Sequence, residues 1–76
     1  MSELELVYIS LSEVEVLRLC DRDRLDQEAA GAQMGVSRGT VQRLLKSARQ
    51  KVATAIVGSG ALVLLEGESH ESLCSN

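Results

Sequence analysis

QEAAGAQMGVSRGTVQRLLK, residues Gln27 to Lys46, has the spacing of a helix-turn-helix: two helices that cross closely and are joined by a tight turn. The fifth position of such a unit must be small because the helices touch there, and it is Gly31. The ninth must tolerate a positive φ, and it is Gly35. Positions four, eight, ten, fifteen and eighteen must be apolar to join the helices, and Ala30, Met34, Val36, Val41 and Leu44 occupy them. The spacing therefore predicts a helix over Gln27 to Met34, capped by Asp26, with Glu28 near the positive end of its dipole. Gly35 ends that helix, and Ser37 caps the next.

From Arg38 to about Val57 nothing breaks a helical pattern. With Val41 as the centre of an inner face, Leu44, Leu45, Ala48, Val52, Ala55 and Ile56 fall within roughly 60° of it at 100° per residue. Gly39, Gln42, Arg43, Lys46 and Gln50 fall on the opposite side. Gly58-Ser59-Gly60 stops the helix, and Ala61 to Leu65 reads as a short strand. Upstream, Leu4 to Ile9 alternates as a strand with Leu4, Leu6 and Tyr8 on one face. Ser10-Leu11-Ser12-Glu13 has the form of a capping box, opening a first helix that runs to about Asp21. Val14, Leu17 and Cys20 are its expected inner line, widened by Val16, and Asp21-Arg22-Asp23-Arg24 is the turn after it. Glu13 and Glu15 are expected to project from an exposed helix start, where capping accounts for them better than acid–base catalysis does. The expected fold is mainly α, a three-helix helix-turn-helix domain over 1–65 with short N- and C-terminal β-strands, followed by a polar, disordered tail over 66–76.

Seventy-six residues make one domain at most, one that buries only about 60% of its unfolded surface. That is too little for a large enzyme pocket, and no Ser/His/Asp set, phosphate loop or metal cluster can be assembled, so no catalytic residue, cofactor or metal is expected. Tyr8 is the single aromatic residue, which disfavours modes of RNA or single-strand binding that stack bases on rings. Cys20 and Cys74 are too far apart in sequence for a zinc spacing or a disulfide framework. Cys20 reads as a small core residue and His70 as a solvated one in the tail. The start, Met1-Ser2-Glu3, lacks signal-peptide character, and the uncharged run Val52 to Leu65 is too short and too glycine-broken to cross a membrane. A reduced, cytoplasmic and nucleoid-associated protein is the expectation.

The net charge of −3 hides a strong asymmetry. All eleven acids lie in residues 3–28 or 66–71, whereas 29–65 holds Arg38, Arg43, Lys46, Arg49 and Lys51 and no acid. A phosphate backbone responds to that local charge of +5, because the Debye length is only about 8 Å at physiological salt.

Residues 10–57, and above all QEAAGAQMGVSRGTVQRLLKSARQKVA, resemble the helix-turn-helix of region four of sigma factors. They resemble more closely a small prokaryotic family of predicted DNA-binding proteins that share the motif. That family has an extended segment, a helix like SLSEVEVLRL here, the motif, an LKSAR-like continuation and a short apolar strand. The resemblance implies sequence-specific DNA binding in a bacterial or archaeal cell. The chain departs from the pattern in lacking a basic, cysteine-containing N-terminal extension, so no metal or DNA contact of such an extension is carried over.

Side-chain chemistry assigns roles within the expected interface. Gln42 suits adenine and Arg43 guanine for two-pronged base contacts in the major groove, and Lys46 suits guanine or a phosphate. Ser37, Arg38, Thr40 and Arg49 suit phosphate clamping, and Gly39 permits close approach of the backbone. Lys51 points away from this stripe, towards a solvated or intrachain salt-bridged role. The expected function is that of a small transcription regulator binding double-stranded DNA through the third helix. The alternative is an adaptor contacting RNA polymerase or another regulator through the acidic surface of the first helix. A homodimer is expected, because two isolated strands make only a marginal ribbon and Val52, Ala53, Ile56 and Val57 leave apolar surface uncovered.

Overall fold

The computed structural model describes residues 5–65. Along them run β1 (Leu6–Ser10), α1 (Leu11–Val16), a π-helical segment (Leu17–Arg22), α2 (Gln27–Met34), α3 (Arg38–Val57) and β2 (Ala61–Leu65). The protein is mainly helical, with three helical stretches flanked by two short strands. The expected tail, with His70 and Cys74, and the expected strand residue Leu4 lie outside the described residues.

Ser10 opens the first helix as a reciprocal cap. Its Oγ accepts from Glu13 N at 3.1 Å, and its own N–H donates to Glu13 Oε1 at 2.9 Å. Past Val16 the helix widens, and Asp23 N donates to Arg18 O at 2.9 Å in the five-residue spacing of a π-turn. The segment ends at Arg22, and Arg24, two residues on, is held at a left-handed φ of 67°.

The line turned into the core is Glu13, Val16 and Leu19. The expected line of Val14, Leu17 and Cys20 is therefore about one residue out of phase, with Val14 exposed and the other two half-buried. Glu13 is the cause. Read as an exposed acid, it is only 5% exposed, because α3 supplies Ser47 and Lys51 to its carboxylate. A carboxylate so satisfied can occupy an inward position that an apolar count assigns to its neighbours.

At the corner between α2 and α3, two glycines serve for different reasons. A Cβ on Gly31 would lie 2.7 Å from Val36 O and 3.4 Å from Val41 Cγ2, so only hydrogen fits where the helices cross. Gly35 faces open space but sits at φ 75°, so its requirement is purely conformational. Asp26 and Ser37 cap their helices as the sequence predicts, accepting from Ala29 N at 2.7 Å and Thr40 N at 3.1 Å. Val36 corrects one expectation. Its side chain is substantially exposed, and what joins the helices is its backbone, with N–H donating to Gly31 O at 2.9 Å.

The core is small and aliphatic: Val16, Leu19, Ala30, Val41, Leu45 and Ala48 close around Ile9 of β1. Met34, Leu44 and Val52 lean on it half-buried. Ile56, expected on the inner face of α3, is 72% exposed, because none of the described residues covers that side of its last turn.

The strands pair with each other in parallel, in the register Leu6↔Ala61 through Ser10↔Leu65. Gly60 makes this possible, since a Cβ there would stand 2.5 Å from Glu5 O, beside the Ala61 N to Glu5 O hydrogen bond of 2.8 Å. The turn before it places Ser59, rather than a glycine, in the left-handed region at φ 57°. Leu6 and Tyr8 share a face as expected, but it is the open face of β1, while Ile9 on the other side enters the core.

Candidate functional site

The N-terminal half of α3 starts at the Ser37 cap and is aimed outward by the crossing at Gly31. Arg38, Gly39, Gln42, Arg43 and Lys46 are all exposed along it, as their spacing predicts. Arg38 and Lys46 are eight residues apart, about 12 Å of helix at 1.5 Å per residue. Gly39 has only Ser37 Oγ, at 3.9 Å, near the place of a Cβ, so the backbone there is open to close approach.

Two shallow, open depressions flank Gln42. One, of about 620 Å³, lies between the start of α2 and α3 and has Gln27, Arg38, Gln42 and Arg49 on its walls. The acids Asp26 and Glu28 also line it, which makes that side less attractive to an anion than the other. The second, of about 590 Å³, is bounded by Gln27, Gln42, Arg43, Leu45, Lys46 and Arg49, with no acid among them. Gln27 belongs to both depressions and was missed by the reading of α3 alone. The signal for it was available, since Gln27 is the polar first residue of α2, directly after the Asp26 cap.

The other expected site residues are engaged within the chain. Ser37 Oγ serves the cap and shares a 3.0 Å hydrogen bond with Thr40 Oγ1, so these two hydroxyls satisfy each other. Arg49 grips Asp21 two-pronged, Nη2 to Oδ1 at 2.6 Å and Nε to Oδ2 at 3.1 Å. This contact holds the Asp21 carboxyl below its usual range and raises the Arg49 guanidinium further. Lys51 Nζ lies 2.8 Å from Glu13 Oε1, which decides between a solvated and an intrachain role in favour of the intrachain pair.

Glu13 is the most perturbed acid. Burial alone would raise its pKa, but hydrogen bonds from Lys51, the Ser10 amide and Ser47 outweigh that and lower it to about 2. Arg18 pairs with Glu15 and Arg22 with Asp23 on the outside of the first helix. Arg38, Arg43 and Lys46 are left without an ion pair among the described residues, as is Arg24 in the turn.

Cys20 is half-buried, and burial, followed by the charge of Asp21, pushes its thiol above the usual range. A thiol so placed is a poor nucleophile and a poor redox sensor. Among the described residues, no three His, Cys, Asp or Glu side chains gather as a metal site would require. No helix among them is long and apolar enough to cross a membrane.

The chain is similar to a UPF0251 protein of Thermococcus kodakarensis, 51% identical over 61 residues that cover 80% of this chain and 54% of the relative. A UPF0251 protein of Moorella thermoacetica is 46% identical over 70 residues, covering 92% of this chain and 47% of the relative. One of Methanocella arvoryzae is 41% identical over 68 residues, covering 90% and 41%. The chain thus spans about half the length of the curated relatives it matches. No solved structure matches it. Residues 1–72 match the model of one family, and the chain therefore belongs to it: the family described as protein of unknown function DUF134.

Proposed function

We propose that the chain is a sequence-specific duplex-DNA-binding module, a small prokaryotic transcription regulator whose α2–turn–α3 unit acts as a helix-turn-helix and lays α3 in the major groove. The observation that carries this reading is the sorting of the cations of α3. Arg38, Arg43 and Lys46 share the exposed stripe with Gln42 and meet no carboxylate among the described residues, whereas Arg49 and Lys51 do. The three cations are spread over about 12 Å of helix, so a helix laid along the groove presents them in succession to its phosphates and base edges.

In this reading Arg43 and Gln42 read base edges, Arg38 and Lys46 hold phosphates, and Gly39 lets the backbone come close. Gln27, on the wall of both depressions, adds a polar contact from the start of α2. Arg49, already bound to Asp21, contributes less than a free arginine would. Repeated selection of bound duplexes from a random pool tests the proposal. It should enrich one short site, and Arg43→Ala should relax base preference at one position of it. If the pool stays random and binding is insensitive to salt, the acidic first helix becomes the leading surface and the adaptor reading replaces this one.

A further inference from the structure

The sheet is unfinished. It holds two parallel strands and nothing else among the described residues, so each strand has one edge of unpaired N–H and C=O groups. Parallel strands normally occur inside larger sheets covered on both faces, and they read as continuous apolar runs for that reason. β2 is such a run, ALVLL, with no charge, proline or polar side chain to discourage pairing along its free edge. Paired residues of parallel strands share a face, which puts Leu62 and Leu64 on the same side as Val7 and Ile9. At β1 Ile9 on this face is buried, but at β2 Leu62 is 44% and Leu64 43% exposed.

We infer that a second copy of this chain completes the sheet, with β2 pairing antiparallel to β2 of the partner across a twofold axis at Val63. Four strands result, in the order β1-β2-β2-β1. In this register Leu62 lies opposite Leu64 of the partner subunit and Ala61 opposite Leu65 of the partner subunit, so every cross-strand pair is apolar and no like charges meet. The four leucines at 62 and 64 then form one cluster continuous with Ile9 and the core of each copy. A slip of one residue would move this set to the other face, so the register is specified by the burial it achieves.

The area suits a dimer. Leu62, Leu64 and Leu65 of β2, with Ile56 and Val57 in the turn of α3 leading to β2, together expose roughly 500 Å² per copy, or roughly 1,000 Å² over two copies, the lower end of a specific interface. The tail that follows β2, EGESHESLCSN, is polar and acidic, which makes it a poor cover for this surface. The inference does not depend on the DNA-binding reading.

Sedimentation equilibrium of the full chain at about 100 µM should give a dimer, and Leu64→Lys should weaken association by roughly tenfold or more while far-UV circular dichroism stays unchanged. In a chain carrying Cys20→Ala and Cys74→Ala, Val63→Cys should form an interchain disulfide, since residues on the axis approach within 4.5–5.5 Å between Cα atoms, roughly the distance a disulfide spans. Leu65→Cys and Tyr8→Cys should not. A wild-type monomer at that concentration would overturn the proposal and leave the edge to a strand from the additional sequence present in the longer relatives. Equal dimerisation of Leu64→Lys, or cross-linking through Tyr8→Cys instead of Val63→Cys, would overturn the β2 pairing.

Discussion

From Arg38 to Lys46, α3 holds three cations that meet no carboxylate among the described residues, whereas from Ser47 to Val57 it holds two, Arg49 and Lys51, each bound to an acid of the first helical stretch. Nothing in the linear charge of +5 distinguishes these halves. The C-terminal half uses its charge to fasten the first helix, through Asp21 and through the buried Glu13. The N-terminal half leaves its charge in solvent, where it is available to a phosphate. A linear count of basic residues therefore does not tell which of them the fold leaves without partners.

The largest expected effect concerns the corner that aims the free half. Gly31→Val places side-chain carbons against the Val36 carbonyl, which belongs to backbone and cannot swing aside. A loss of about 3 kcal/mol or more in urea unfolding is expected, against about 1 kcal/mol for Gly35→Ala, where φ is the only objection. Equal costs at the two sites would mean that the helices do not cross at Gly31.

Next comes the fastened half. Lys51→Ala strands a buried carboxylate and should cost about 2–3 kcal/mol of stability, while leaving duplex affinity per folded molecule unchanged. The same contact fixes the acid response. Because the folded pKa of Glu13 is depressed, its contribution is fully present above the unfolded value near 4.5 and is lost as pH falls towards about 2. A shift of that size corresponds to roughly 3 kcal/mol. Urea titrations between pH 5 and 2 should show that decline in the wild type and a flatter profile in Glu13→Gln.

The order of elements was legible because its signals are local. Asp26 and Ser37 act through side chains on amides three residues away and Gly35 through its own φ, so α2 begins and ends, and α3 begins, where those residues place them. The phase of the first helix was not legible, because the inward turn of Glu13 depends on Ser47 and Lys51, more than thirty residues away. The same holds for Arg49, whose partner Asp21 lies 28 residues upstream. Candidate readers on α3 could be named from spacing alone, while the division between free and fastened cations needed the packed chain.

Smaller effects separate the halves directly. Arg43→Ala should weaken binding to a selected site by about 1–3 kcal/mol and shift urea stability by no more than about 0.5 kcal/mol. Arg49→Ala should do the reverse on a reduced scale, costing up to about 1 kcal/mol of stability, since its pairing with Asp21 is largely solvent-exposed. Its effect on affinity should be smaller than that of Arg43→Ala. An Arg49→Ala protein that stays folded and loses binding as Arg43→Ala does would erase the contrast.

The most direct measurement is the salt dependence of affinity for a random duplex, by fluorescence anisotropy, for the wild type, Arg38→Ala and Lys51→Ala. The two phosphate-holding cations, Arg38 and Lys46, predict that log K falls against log salt with a slope of about −1.8 per chain, that Arg38→Ala reduces its magnitude by about one, and that Lys51→Ala leaves it unchanged. A flat wild-type slope, or a Lys51→Ala slope reduced as much as that of Arg38→Ala in a folded protein, would contradict the assignment of the N-terminal half of α3 as the DNA-binding surface.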